Sequence, residues 1–188
     1  MKAKWIRSAF VLTLALLLAG GASAGHAASP DTRGITFLGE FSNVRHTAEH
    51  AYGYAIQLWR DGDRLFGLVA VSDGLVGDTP VGLLDNVHFD PAKHALTFSS
   101  KLSVGAIYLG QGRQEHTHDI FSFDGTLEDE KLLSGTLTHT DQLQPARNPE
   151  IKRVRLVRTN GESPIEAVSY DQWQKSVQPI LKARGPKW

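Results

Sequence analysis

Apolar and polar residues alternate in short blocks from Gly34 to about Thr159, and Gly, Asp and Pro separate the blocks. Alternation of period two, bounded by turn residues, predicts strands. The candidates are 34–41, 52–60, 64–72, 82–89, 95–109 (one long strand or two short ones), 118–127, 132–140 and 151–158. Strands do not alternate with helical periods, which argues against a Rossmann or α/β-hydrolase arrangement. The expected fold is mainly β: an antiparallel meander barrel or sandwich of about eight strands.

Hairpins test the alternation. In YAIQLWRDGDRLFGLVAV, Asp61-Gly62 is a two-residue turn signal. Pairing Arg60 with Asp63 sets Leu58 opposite Leu65 and Tyr54 opposite Val69. Tyr54, Ile56, Leu58, Leu65, Val69 and Val71 then share one face. The other face carries Trp59, Phe66 and Leu68 and is too apolar to stay bare. In LLDNVHFDPAKHALTFSSKL, a turn near Asp90-Pro91 pairs Phe89 with Leu96, Val87 with Phe98 and Leu83 with Leu102. Asn86, His88, Thr97 and Ser99 then point outward.

The third hairpin separates two groups of histidines. Phe121, Phe123, Leu127, Leu133 and Leu137 share a face only if odd residues oppose odd ones, which a three-residue loop over Glu128–Glu130 provides. His116, His118, Ser122, Asp124, Ser134, Thr136, Thr138 and Thr140 then form a solvated face. Asp119 and His139 fall with the core set, near the strand ends that form a barrel mouth. A slip of one residue would bury the threonines and expose the phenylalanines.

After residue 159 the period changes. Tyr170, Trp173, Val177 and Ile180/Leu181 recur at helical spacing. Ser163 with Glu166, and Pro164 at the first helical position, reads as a capping-box start, and Ser169 offers a second cap. Pro179 predicts a kink or break, and Gly185-Pro186 an end. The apolar stripe predicts a helix packed on the Trp59/Phe66/Leu68 face.

The first residues follow another logic. Lys2, Lys4 and Arg7 precede an apolar run, Ala9 to Ala19, and then Ala22-Ser23-Ala24. A basic start, a short apolar core and small residues are the order of a signal peptide, with cleavage expected after Ala24 and Ala28 as an alternative. The run is shorter than the roughly 20 residues that span a bilayer. The expected organisation is a signal peptide at 1–24, a flexible lead-in at 25–33, an antiparallel β-domain at 34–159 and a helical segment at 160–188. Export to the periplasm or beyond follows, with no transmembrane segment left after cleavage.

Composition narrows the chemistry. Cysteine is absent, which removes disulfides, thiol nucleophiles and thiolate metal sites. Residues 25–144 carry 8 basic and 16 acidic residues, while 145–188 carry 9 basic and 4 acidic. An acidic body and a basic C-terminal piece are expected to attract each other, with an anionic partner for the tail as the alternative, and nowhere do cations reach the density of a nucleic-acid surface. Arg153 and Arg155 alternate with Val154 and Leu156, so they face outward, to grip an anionic group or to pair with the acidic body.

An exported antiparallel β-body with one C-terminal helix resembles the calycin type of barrel, as in lipocalins and avidins, over roughly residues 34–185. Lipocalins carry Gly-x-Trp on the first strand; here Gly34-Ile35-Thr36 lacks the Trp. An exported bacterial β-protein family without known activity is the other resemblance. The calycin resemblance implies a barrel that binds a small ligand, but it transfers no ligand residue.

Candidate sites follow from parity. Tyr54, Phe98, Phe121 and Phe123 are the expected inner lining for a small, mostly apolar ligand, with Asp119 and His139 as polar contacts. A cell-envelope component is the other expected partner. The same Asp/His pair could serve a small periplasmic enzyme as an acid–base couple. His116 and His118 are the weak candidates for a metal-binding protein, because a site needs three or four converging ligands. Parity sets them on the face opposite His139. No cofactor is expected. Ala70-Val71-Ser72-Asp73-Gly74 lacks the first glycine and the context of a nucleophile elbow. Gly110-Gln111-Gly112 lacks the third glycine of a dinucleotide loop. Asp61-Gly62-Asp63 lacks the remaining acids of a calcium loop.

Overall fold

Alternating blocks of this kind form strands because each strand buries one face. In a computed structural model, which describes residues 34–77 and 79–188, they do so in chain order. The strands are β1 (Thr36–Ser42), β2 (Arg45–His46), β3 (His50–Asp61), β4 (Arg64–Leu75), β5 (Val81–Leu83), β6 (Asp85–Asp90), β7 (Ala95–Leu102), β8 (Ala106–Gly110), β9 (Arg113–His116), β10 (Asp119–Glu128), β11 (Leu132–Asp141) and β12 (Glu150–Arg158). One helix, α1 (Tyr170–Arg184), follows. The expected signal peptide and lead-in lie outside the described residues. No helix among the described residues is long and apolar enough to cross a membrane.

Every pairing is antiparallel, and the main sheet runs β5-β4-β3-β1-β12-β11-β10-β7-β6, with β2 also on β3. Followed from β1, the ring passes through β3, β4, β5, then β6, β7, β10, β11 and β12 and returns to β1. It is a nearly closed meander barrel with a C-terminal helix packed on it. The ring turns the corner between β5 and β6. The expected strand 82–89 changes partner there: Leu83 faces Leu68 of β4, not Leu102, and Asp85 faces Ser99 of β7. Leu84 between them donates its N–H to Gly67 O at 3.0 Å. Gly82 makes the corner passable, because a Cβ there would run into Lys101 O and Ser100 Oγ. Phe89↔Leu96 holds as expected, and a bulge between Asp85 and His88 interrupts the register beyond it.

Two further registers differ in detail and keep their faces. The β3–β4 turn is Gly62-Asp63, with Gly62 at φ +56, so Asp61 faces Arg64, Leu58 faces Gly67 and Tyr54 faces Val71. A shift by two residues leaves parity unchanged. The β10–β11 loop covers Asp129–Lys131, one residue later than expected, and odd residues still oppose odd ones, as in Phe123↔Leu137 and Leu127↔Leu133. The run 95–109 divides into β7 and β8, and β8 pairs with β9 as a separate two-stranded ribbon.

The core has two layers. Inside the barrel lie Phe41, Ile56, Leu58, Val69, Leu96, Phe98, Leu102, Phe121, Phe123, Leu133 and Leu156, all buried. Outside it, α1 covers Trp59, Phe66 and Leu68 with Trp173 and Val177. Trp173 meets Phe66 at 4.7 Å and Trp59 at 5.4 Å between ring centroids. The helix starts at the later of the two expected caps. Ser169 Oγ accepts from Gln172 N at 3.3 Å. Ser163 instead accepts from Trp59 Nε1 at 3.3 Å and fixes the turn at Ile165. The helix passes through Pro179 and ends at Gly185.

Candidate functional site

Parity carries Asp119 and His139 to the inner side of the sheet at one barrel mouth. Asp119 opens β10, and His139 stands near the end of β11, directly across from Phe121. Their side chains meet on the diagonal: His139 Nε2 donates to Asp119 Oδ1 at 2.7 Å. The imidazole lies flat on the Phe121 ring, with centroids 4.4 Å apart and 7° between planes. Phe121 in turn meets Tyr54 edge-on at 6.4 Å.

The other imidazole nitrogen is also engaged. His139 Nδ1 faces Glu150 Oε2 at 3.6 Å, an ion-pair distance. Glu150 Oε1 takes Lys152 Nζ at 2.9 Å. Lys152 Nζ stands 5.9 Å from the Tyr54 ring centroid, at the outer limit of a cation–π contact. The result is a row of alternating charge, Asp119–His139–Glu150–Lys152, ending on an aromatic ring.

Asp119 is saturated. It is 1% exposed, and its Oδ2 accepts from Val104 N at 2.8 Å and from Thr117 Oγ1. Thr117 Oγ1 accepts from Gly105 N at 2.9 Å, and Thr117 N donates to Gly105 O at 3.0 Å. One carboxylate therefore holds both feet of the β8–β9 ribbon. Its neighbour across the strands, Asp141, is used in the same manner: it accepts from the backbone N–H groups of His118 and Leu143 and from Gln144 Nε2.

These contacts set the charge states. Burial pushes the Asp119 carboxyl up. Hydrogen bonds from His139, Thr117 and Val104 outweigh that and hold it below its ordinary 3.8. The hydrogen bond to Asp119 raises the His139 imidazole above its ordinary 6.5, against burial and with help from Glu150. The hydrogen bond from Lys152 lowers Glu150, and the same bond raises Lys152. While it is protonated, the imidazole directs both of its N–H groups at carboxylates.

A cleft of about 480 Å³ opens over this row. Tyr54, Phe121, Val71 and Ile107 supply its apolar wall, and Asp119, His139, Glu150, Lys152 and Arg147 its charged one. The β8–β9 ribbon overhangs the cleft through Gly105, Ala106 and Ile107. Of the expected lining residues, Tyr54 and Phe121 reach the cleft. Phe98 and Phe123 do not line it and stack on each other at 5.1 Å; Phe121, at 3% exposed, is as buried as they are and lies under the His139 ring.

His116 and His118 stand elsewhere. His116 is exposed on β9 and faces Ala106. The His118 ring stacks on Trp188 at 4.7 Å and 11°, with its Nε2 3.6 Å from Glu115. Among the described residues, no three His, Asp or Glu side chains are grouped to hold a metal ion.

Glu150, Lys152 and Thr117 were not among the expected site residues. Parity on β12 marks the first two, because Glu150 and Lys152 share the inward side of Val154 and Leu156. The ribbon had its own signal in Gly110-Gln111-Gly112. All three residues have positive φ, between +50 and +84, and they turn β8 into β9. No protein-family model, curated protein or solved structure matches the chain.

Proposed function

We propose that this is an exported, non-enzymatic binding protein of calycin-like architecture, which holds a small, mostly apolar ligand in the cleft at the barrel mouth. The observation that carries this reading is the pairing of an aromatic wall, Tyr54 and Phe121, with a charged row whose members already satisfy one another. Such a wall offers apolar contact, chiefly through the part-exposed Tyr54 ring, and the row offers few well-placed polar partners, which is the usual make-up of a small-molecule site. Both nitrogens of His139 face carboxylates, which favours a binding role over proton transfer. The order of residues 1–24 supports export.

The test is thermal unfolding of the full chain against fatty acids, small aromatics and neutral polar compounds. A ligand present at a hundredfold excess over its Kd adds about 2.7 kcal/mol to stability. One class should raise the melting temperature, and Tyr54→Ala should remove that rise while His139→Gln leaves part of it. If no class raises it, or if His139→Ala abolishes a catalytic turnover of the responding compound, the binding reading is wrong.

A further inference from the structure

The barrel is open along one seam, and the seam has a defined chemistry. β11 pairs with one edge of β12 along its length, from Leu132↔Val157 to His139↔Glu150. β1 takes the other edge only at Phe41↔Arg158 and Ser42↔Val157. The chain of β1 then follows β3 as β2, with Arg45 facing Tyr52, and β12 leaves it. Among the described residues, no strand pairs with the outer edge of β12 from Glu150 to Leu156.

The groups on that edge can be named. Arg158 N donates to Lys131 O on the β11 side, and Thr159 N donates to Glu40 O on the β1 side. Backbone groups of an antiparallel strand alternate in direction. The N–H and C=O of Ile151, Arg153 and Arg155 therefore point to the open edge. The side chains of the same three residues face outward, with Ile151 67% exposed and both arginines exposed. Neither arginine forms an ion pair among the described residues. Their cross-strand partners are Thr136 and Ser134, and the carboxylate of Asp124 lies one strand further on.

We infer that this edge takes an extended, acidic peptide segment of a partner protein as an added strand. Main-chain pairing to a preformed edge gives affinity without sequence, and the flanking side chains select. Here the selecting groups are Arg153 and Arg155, which share the outer face of β12, so the added strand carries carboxylates at alternate positions on that face. Edge cations also discourage self-pairing. A second copy in the seam would set its own Arg153 and Arg155 against these, which disfavours a homodimer through this edge.

The probe is a capped peptide of alternating Glu and Val, with its Lys-for-Glu counterpart as control, titrated into the full chain. The Glu peptide should bind and slow amide hydrogen exchange at Ile151, Arg153 and Arg155. Arg153→Gln with Arg155→Gln should weaken it about tenfold or more through the lost charged contacts. Ile151→Pro keeps both charges and removes one edge N–H without touching the β11 ladder. It should weaken binding about tenfold by that loss. Three results overturn the inference: equal binding of the Lys peptide, binding with no slowing of those amides, or protection of the edge by concentration-dependent dimerisation.

Discussion

His139 and Asp119 are not cross-strand partners. His139 faces Phe121 and Asp119 faces Asp141, and the 2.7 Å hydrogen bond crosses the ladder on the diagonal. That diagonal links the stacked wall of the cleft to the carboxylate that holds the feet of the β8–β9 ribbon. Whatever loosens the pair should loosen both.

A change of pH in either direction is the first way to loosen it. His139 is raised, so its contribution is complete below 6.5 and is lost as pH climbs through its folded value. Asp119 is lowered, so its contribution is complete above 3.8 and is lost as pH falls through its folded value. The pair therefore contributes most between 3.8 and 6.5. Thermal unfolding across a pH series should place the pair's contribution in that window. His139→Gln should flatten the fall on the alkaline side. A difference between wild type and variant that grows above pH 6.5 would contradict the sign.

Removing the carboxylate is the second. Asp119→Asn keeps the shape but loses the charge that Val104 N, Thr117 Oγ1 and His139 all address. Hydrogen bonds to a charged group contribute about 1.5–3 kcal/mol each, so a loss of roughly 2–4 kcal/mol is expected in urea unfolding. Thr117→Val removes one of the three, together with the acceptor of Gly105 N, and should cost about 1.5–3 kcal/mol. Amide exchange at Val104 should speed up in Asp119→Asn at concentrations of urea too low to unfold the barrel. Unchanged exchange there would remove the ribbon from the argument.

The helix docking makes a sharper demand. Trp173 is 1% exposed between Trp59 and Phe66, yet its Nε1 has no hydrogen-bond partner. The indole therefore acts by volume and ring contact alone. Trp173→Ala should cost about 3–5 kcal/mol, as large-to-small core changes do. Trp173→Phe should cost much less, because no hydrogen bond is lost. Equal losses in the two variants, measured by denaturant unfolding, would show that the ring contacts were misassigned.

Parity was legible in the sequence because it survives errors of register. The β3–β4 turn is displaced by one residue at each strand end, and Trp59, Phe66 and Leu68 still share the face that α1 covers. The diagonal Asp119–His139 contact was reachable for the same reason. What was not legible depends on where strands change partner. The continuous run 82–89 gives no sign that Leu83 belongs to β4 and Asp85 to β7, since both halves alternate correctly. The helix start was ambiguous because two serines fit a cap. Burial of Trp59 against Ser163 decided for Ser169. Glu150 and Lys152 were missed because charged residues at inward parity look like a strand end, until the partner across the mouth is known.

Closure of the ring at β5 and β6 yields the last prediction. Gly82 is buried where β5 crosses the end of β7, and a Cβ would meet both the backbone oxygen of Lys101 and the side chain of Ser100. Gly82→Ala should therefore destabilise by about 1–3 kcal/mol, the range for overpacking a filled interior. Two obstacles of different kinds are present, and they can be separated. Ser100 Oγ is itself buried without a hydrogen-bond partner, so Ser100→Ala alone should be neutral or slightly stabilising. In the double variant Gly82→Ala/Ser100→Ala the side-chain conflict is gone, but the Lys101 carbonyl shares its peptide plane with the Leu102 N–H, which by alternation points to Asp119 in the β7–β10 ladder, so it cannot turn away without disturbing that ladder. Most of the loss should persist in the double variant. A full rescue in denaturant unfolding would mean that the hydroxyl alone sets the approach of β5 to β7, and that the corner has more backbone freedom than the crossing implies.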